Sequence, residues 1–560
     1  MPALVMAVAQ PVWSRVDEPA HFDVIAQYAS GVYPHDSVTT IRPETLDVMQ
    51  RTGVYGFIVD SAYAKPDVPA ELSTMPAALS PAAQVLWIRR HGWQFSYEAF
   101  QPPLYYVAAL PAWLIGRTIG GPLGAVYAVR VFDALLAALL APMAMLIALR
   151  IWPMRDRAGW AAAVLSAILP GVALNLTSVT NDVLVSVLGG ACILVAINGS
   201  WTRGRVVAAG LLLGAALLTK TTAVALVPAL AYALLDGRRA GGGRQLLAGF
   251  AVAAGCIGPW LVSNVMVYGE LISTREQLVM AAFPPRTSDP GFWGVSTLHS
   301  YVTFWTGDPF LSVPGAVALA LVAALLSGLA IAGLWRARRS SEVVRAALRI
   351  TALAAAGAAV VAVASPILAA FDAPGRLAYV GLAGVTALVA IGLWFELHSP
   401  RLVRGAVGLF GVLSMAGMAL LIAPQPAAEL DPGHPVLGSV TAIDAHGTFG
   451  GVGFDLLRCA VDPARDVWLS IRIVNAGDLP AEWSQSAEVR AGDETIAVSD
   501  YARSTPFPVS IQPGSEQSGW LWLGPSNRIA GHAGITVAFR QIATDGYRSI
   551  GDVVIPTALC

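Results

Sequence analysis

Long runs of apolar residues constrain this chain more than any other feature. They fall at about 124–149, 158–174, 182–198, 206–218, 221–235, 245–267, 312–335, 346–370, 377–397 and 405–423. A helix needs roughly 20 apolar residues to cross a bilayer, and several runs have that length. Backbone N–H and C=O groups facing lipid can pair only within helices or closed barrels. Met1 to Val12 is apolar but too short to cross, and we read it as the truncated remainder of a first helix. The expectation is an α-helical polytopic membrane protein with about eleven transmembrane helices. Of 560 residues only 13% are charged, whereas a water-facing surface requires about 25%. The net charge of −1 carries no basic footprint for nucleic acid, so that class of partner is excluded.

Arginine placement orients the spans, because cytoplasmic connections are enriched in basic residues. Arg150, Arg155 and Arg157 share one connection, Arg203 and Arg205 the next but one. Arg238, Arg239 and Arg244, then Arg336, Arg338, Arg339 and Arg345, then Arg401 and Arg404 fill every second connection thereafter. The other connections are expected to face outward: the large first loop 13–101, the short connections 175–181, 219–221 and 371–376, and a second large loop 268–311. Residues 102–120 are apolar but carry Pro102, Pro103 and Pro111, and are expected to form a juxtamembrane or re-entrant segment. The membrane domain therefore covers 1–425.

Residues 426–560 read as a separate exoplasmic unit. Val467–Val474, Thr495–Val498, Gly519–Leu523, Ile535–Ile542 and Ser549–Ile555 are β-branched and aromatic between turn residues, which predicts a small sandwich-like all-β domain. Cys192 and Cys256 lie in apolar runs and read as core residues. Cys459 and Cys560 bracket the β-domain and are either a disulfide or two free thiols.

This topology gathers the unusual polar residues on the outer side: Asp17, Glu18, His21, Gln101, Asn181, Asp182, Lys220, Tyr268, Glu270, Arg275, Asp372 and Arg376. Lys220 lies where two short spans meet; it either faces a hydrated cavity or snorkels to headgroups. Asp17 and Glu18 precede Pro19, so one of them either caps a helix or acts as a general base or a ligand of a divalent metal ion. Glu18 and His21 stand three residues apart on one helical face and are the weak candidates for such a metal. Asn181 and Asp182 fit a helix cap. Tyr105 and Tyr106 are either interface anchors or stacking surfaces for a sugar or lipid.

Several short strings carry a family resemblance. Gln101-Pro102-Pro103-Leu104-Tyr105-Tyr106 resembles the segment closing the first outer loop of GT-C membrane glycosyltransferases, among them aminoarabinose transferases and protein O-mannosyltransferases. Asp17-Glu18 resembles their first-loop acidic motif, and Leu217-Leu218-Thr219-Lys220 a step in their later helices. Pro259-Trp260, Asn264 and Tyr268-Gly269-Glu270, then Phe304-Trp305 and Pro374-Gly375-Arg376, are similar to patterns in a poorly characterised bacterial branch. Ser263, Glu270 and Leu377 depart from those patterns. The resemblance covers roughly 13–425.

It implies transfer of a sugar from a polyprenyl-phosphate donor to a lipid, polysaccharide or protein acceptor, with inversion, at the outer face of a bacterial plasma (inner) membrane. The Ala-, Gly- and Arg-rich composition fits a high-GC bacterium. On this resemblance Asp17 is the base, and Glu18 or Asp182 orients it. Lys220, Arg376 and Arg275 bind phosphate, while Gln101, Tyr105, Tyr106 and Glu270 line the substrate site. Two other classes stay open: a transporter or flippase, since buried charge also marks transport sites, and a non-catalytic scaffold for envelope assembly.

Overall fold

The structure is a computed structural model. It describes residues 2–10, 12, 17–33, 42, 44–45, 48, 98–153, 156–198, 201–235, 242–272, 290–307, 315–368, 374–422, 439–449, 451–461, 465–479, 481–483, 486–492, 494–499, 510–511, 513–530, 532–543 and 546–556. The chain divides into two compact units. One comprises Met1–Asp36, Glu98–Leu278 and Phe283–Gln425, the other Ser37–Tyr97, Val279–Ala282 and Pro426–Cys560.

The first unit is helical. It opens with α1 (Pro2–Ala9) and α2 (Glu18–Ala29), followed by the long α3 (Leu104–Ala138) and α4 (Leu140–Ile151). Next come α5 (Asp156–Ile168), α6 (Pro170–Asn175), α7 (Asp182–Ala196) and α8 (Arg203–Thr219). A 3₁₀ turn (Thr221–Leu226) leads into α9 (Val227–Leu235), followed by α10 (Gly242–Tyr268), α11 (Pro290–Thr306), α12 (Ala316–Ala337) and α13 (Glu342–Leu368). A second 3₁₀ turn (Gly375–Gly381) leads into α14 (Leu382–Leu397), and α15 (Pro400–Ile422) closes the unit.

Among the described residues six helical stretches are long and apolar enough to cross a membrane: Leu104–Ile151, Gly242–Val267, Ala316–Ala337, Glu342–Ala364, Gly375–Leu397 and Pro400–Leu420. Asp182–Ala196 and Thr221–Leu235 are shorter apolar helical stretches. The run expected at 158–174 is broken at Leu169, whose extended backbone places Pro170 in the first turn of α6.

The segment 102–120, expected as a juxtamembrane or re-entrant segment, is helical from Leu104 on and holds Pro111 within the helix. It folds back on the residues that follow. Tyr105 donates to Asp133 at 2.7 Å, although 28 residues of straight helix would hold them about 42 Å apart. The reversal occurs at Gly120 and Gly121, which leave helical geometry, Gly121 at φ 64°. α3 is therefore a hairpin of two helical legs.

The connection 175–181, expected to face outward, is enclosed along its whole length. Every residue from 169 through 183 is buried. A buried connection must find partners for its backbone polar groups, and two of them are side chains from distant elements. Val179 N–H donates to Glu18 Oε1 at 3.0 Å, and Thr180 N–H to the Tyr105 hydroxyl at 3.0 Å.

The second unit carries two four-stranded sheets. Strands β1 (Ser439–Phe449), β2 (Val452–Val461), β3 (Asp466–Val474) and β8 (Glu516–Pro525) run in that order in one. β10 (Gly546–Pro556), β9 (Gly534–Ala543), β5 (Ser486–Ala491) and β6 (Glu494–Ser499) form the other. A two-stranded ribbon pairs β4 (Ala481–Glu482) with β7 (Ser510–Ile511). Neighbouring strands are antiparallel throughout. Period-two burial along β3 sends Val467, Leu469, Ile471 and Ile473 into one core with Val489, Val537 and Phe539 of the other sheet. Phe454, Trp483 and Phe539 stack within it, with ring centroids 5.4–6.0 Å apart. On the opposite face of the first sheet, Asp455 accepts from His446 at 2.6 Å and from Arg472 at 2.5 Å and 2.8 Å, which holds its carboxyl below the usual range. Of the two alternatives for Cys459, it is disulfide-bonded; Cys560 lies outside the described residues. Cys192 and Cys256 are free thiols.

Candidate functional site

The charged residues of the helical unit converge where several helices begin. Asp17 immediately precedes α2, and Asp182 is the first residue of α7. Lys220 stands in extended conformation between α8 and the 3₁₀ turn that opens α9, and Arg376 lies in the first turn of the 3₁₀ segment opening α14. The two 3₁₀ segments pack against each other and against α13. Helix starts present unpaired N–H groups and the positive end of the helix dipole, so their convergence favours an anion.

Four side chains form an alternating chain of charge. Arg376 Nη2 donates to Asp17 Oδ2 at 2.6 Å. Arg376 Nη1 lies 3.6 Å from Asp182 Oδ2, and Lys220 Nζ donates to Asp182 Oδ1 at 2.6 Å. Asp182 is 2% exposed at its side chain, whereas Arg376, Lys220 and Asp17 keep 10%, 11% and 14%. Lys220 thus has a carboxylate partner, and the snorkelling alternative is set aside.

Local backbone fixes Arg376. Gly375 N–H donates to Thr303 Oγ1 at 2.8 Å, and a Cβ at Gly375 would collide with the backbone of Ser300 and Phe304. Two turns of α11 therefore grip the residue before the guanidinium, and only glycine fits there.

The capping alternatives fail. Asp17 stands at the cap position of α2 without a side-chain cap hydrogen bond, because its carboxylate is turned to Arg376. Asn181 makes no cap hydrogen bond either; its amide is fully buried with neither polar atom paired. Glu18 is enclosed, with a bidentate pair to Arg130 at 2.6 Å on both arms.

His21 Nδ1 lies 2.9 Å from the Tyr106 hydroxyl. On α2, outside the candidate spans, burial pulls its pKa down to about 3, with Asp17 and Asp182 opposing and Lys220 and Arg376 reinforcing that shift. The imidazole is neutral at physiological pH. The Glu18–His21 pair does not suit a cation. Both Glu18 oxygens serve Arg130, Oε1 also takes the Val179 N–H, and no third His, Cys, Asp or Glu joins them among the described residues.

Tyr105 and Tyr106 are wholly buried, hydrogen-bonded to Asp133 and His21, so neither offers a ring face to a ligand. Gln101 is half-buried just before α3, and Glu270 half-buried just past α10; neither belongs to the four-residue charge chain. Arg275 and Asp372 lie outside the described residues, as does the Tyr268 side chain. Asn264 donates to the Leu271 carbonyl at 3.0 Å, a structural contact.

Among the described residues, several buried charged side chains are not marked by the sequence motifs, Asp23 of α2 and two residues of α3 among them. Arg130 and Asp133 sit in α3, each 0% exposed. Their three-residue spacing places them on one helical face, and any ionisable residue inside an apolar run marks a site by its desolvation cost. That signal was present at 130 and 133.

Comparison with solved structures gives partial overlays. The chain is similar to ArnT from Cupriavidus metallidurans in the apo state, at 16% identity and a TM-score of 0.42, over 75% of this chain and 74% of that one. It is similar to the Archaeoglobus fulgidus oligosaccharyltransferase at 16% identity and a TM-score of 0.36, over 58% of this chain and 46% of that one. A third is arabinosyltransferase EmbB from Mycobacterium smegmatis, at 13% identity and a TM-score of 0.26, over 84% and 60%. No curated protein matches the sequence. The family model described as "Predicted membrane protein (DUF2142)" matches residues 3–384, well over half of the chain, and the protein belongs to that membrane-protein family.

Proposed function

We propose that this protein is a membrane glycosyltransferase that moves a sugar from a polyprenyl-phosphate donor to a lipid, polysaccharide or protein acceptor at the outer face of a bacterial inner membrane. The observation that carries this reading is the Asp17–Arg376–Asp182–Lys220 chain at converging helix starts. The motif resemblance around Asp17, Gln101–Tyr106, Lys220 and Arg376 supplies the sugar chemistry. The disulfide at Cys459 agrees with an oxidising, exoplasmic setting for the β-unit.

The residues suit such a transfer. The bond from the anomeric carbon to the phosphate oxygen breaks with its electron pair on the oxygen, so negative charge grows on the phosphate. Arg376 and Lys220, backed by the helix starts, stabilise that charge. The acceptor oxygen forms the new bond from the opposite face of the sugar, which inverts the anomeric centre, and its proton passes to Asp17. Arg376 holds Asp17, and in this scheme a phosphate reaching the guanidinium takes that place and releases the carboxylate. Asp182 stays with Lys220 and aligns both cations. Glu18, enclosed by Arg130, takes no proton in this scheme.

The test is transfer in membranes from a panel of polyprenyl-phosphate sugars to endogenous lipid and polysaccharide acceptors, beside Asp17→Asn and Lys220→Ala. The expected outcome is transfer by the parent chain and a loss of at least about a hundredfold in each variant, the scale of removing a general base or an oxyanion donor. Transfer untouched by both substitutions overturns the site. Its absence with every donor, from folded protein, turns the reading to a transporter or a scaffold.

A further inference from the structure

We propose that Arg130, acting through Glu18, is the positioning residue that sets the spacing of Asp17 and Asp182. The inference rests on the functional reading of that pair and extends it to a second, fully enclosed layer of the same helical unit.

Arg130 is 0% exposed and uses both sides of its guanidinium. Nε and Nη2 each donate to one Glu18 oxygen at 2.6 Å. Nη1 donates to the Gln10 carbonyl at 2.7 Å and reaches the Ala7 carbonyl at 3.5 Å, both at the C-terminal end of α1. One side chain of α3 thus ties the end of α1 to the start of α2. Glu18 Oε1 also accepts from Val179 N–H at 3.0 Å, which brings in the buried connection ahead of α7.

Chain arithmetic turns this hub into a ruler. Asp17 adjoins Glu18, and Asp182 lies three residues beyond Val179. Any shift of Glu18 therefore moves Asp17 directly, since neighbouring Cα atoms are held about 3.8 Å apart. The same shift releases Val179, the anchor of the segment that presents Asp182. The two carboxylates meet on Arg376, where a misplacement of about 1 Å is enough to cost a hundredfold in rate. Lysine substitutes only in part, because an ammonium lacks the planar fork that serves Glu18 and the α1 carbonyls together.

The experiment reads position without requiring turnover. Cys192 and Cys256 are replaced by alanine, Asp17 and Arg376 by cysteine, and the purified full chain is treated with a short bifunctional methanethiosulfonate. Tyr301→Cys with Ser327→Cys, whose parent side chains lie 2.9 Å apart on α11 and α12, serves as the control pair. Cross-linking of 17 to 376 is expected to fall at least about fivefold with Arg130→Gln or the isosteric Glu18→Gln, and less with Arg130→Lys, while the control pair is unchanged. Undiminished 17-to-376 cross-linking in both glutamine variants overturns the proposal. So does loss of both pairs in every variant, since the hub would then hold the whole unit and not the site. In parallel, Arg130→Lys in the otherwise unaltered chain is expected to lower turnover about tenfold with the donor KM unchanged. A raised KM at full turnover overturns the positioning role. No transfer by the parent chain refutes the functional reading instead, and the cross-linking result stands.

Discussion

A buried ionisable residue is expensive, so each one in the helical unit should be accounted for by a partner. Among them, Glu18 has Arg130, Asp23 has Gln27, Asp133 has Tyr105 and Thr180, Asp182 has Lys220 and Arg376, and the neutral His21 has Tyr106. His21 makes this measurable. Its folded pKa of about 3 lies below the ordinary 6.5, so the unfolded chain binds more protons between those values. The associated stability is complete above about pH 6.5 and is lost as pH falls toward 3. At about 1.4 kcal/mol per unit, the helical unit should lose about 2 kcal/mol between pH 7 and pH 5 through this residue. Denaturation midpoints in detergent at the two pH values test it, and His21→Asn should flatten that part of the slope. An unchanged slope in the variant would show that another group titrates. Sequence alone named Asp17, Asp182, Lys220 and Arg376, yet nothing in it pairs residues as far apart as 17 and 376.

At the scale of elements, irregular helix starts place the site. Lys220 adjoins one 3₁₀ turn and Arg376 lies within the other, a tighter geometry that commonly marks functional breaks. These breaks lie inside runs that hydropathy reads as continuous helix, at 221–235 and 377–397, which is why the sequence gives the spans but not the breaks. Small residues then bring the helices together, as membrane interfaces favour. A Cβ at Gly333 of α12 would run into the Gly392 carbonyl of α14, and it would also crowd the Glu396 amide at 3.0 Å. Gly333→Leu should therefore cost at least about 1–3 kcal/mol by overpacking. Gly255→Ala in α10, with open space around it, should be neutral or better by up to about 1 kcal/mol. Thermal melting of both in micelles provides the check. Equal midpoints would mean that α12 and α14 do not meet at Gly333.

At the scale of the whole molecule, an apolar helical unit and a β-unit use different folding physics. The β-unit hides one face of each sheet around Phe454, Trp483 and Phe539. Trp483→Ala should cost about 3–5 kcal/mol and lower hydrogen-exchange protection along β9 in the intact protein. Protection left at the parent level would show that Trp483 is not the centre of this core. Strand-like composition between turn residues points to β3, β6, β8, β9 and β10, which are rich in β-branched and aromatic residues. The same composition does not mark β1, β2 and β5, where Asp, Gly, Arg and Ala interrupt the β-formers and the partner strand supplies the stability, nor the two-residue strands β4 and β7. The sequence by itself determined that the chain is a membrane protein, where most of its long apolar helices run, that a β-unit follows, and that Asp17, Asp182, Lys220 and Arg376 are too costly to be incidental; it read α2 and α11 as parts of outer loops and passed over Arg130 and Asp133. Those facts depend on transfer free energy, which is summed along the chain. The folded-back α3, the enclosure of 169–183, the pairing of Asp17 with Arg376 and the Arg130–Glu18 hub were decided only in three dimensions. Each is a contact between segments remote in sequence, and its energy exists only once the fold has excluded water from it.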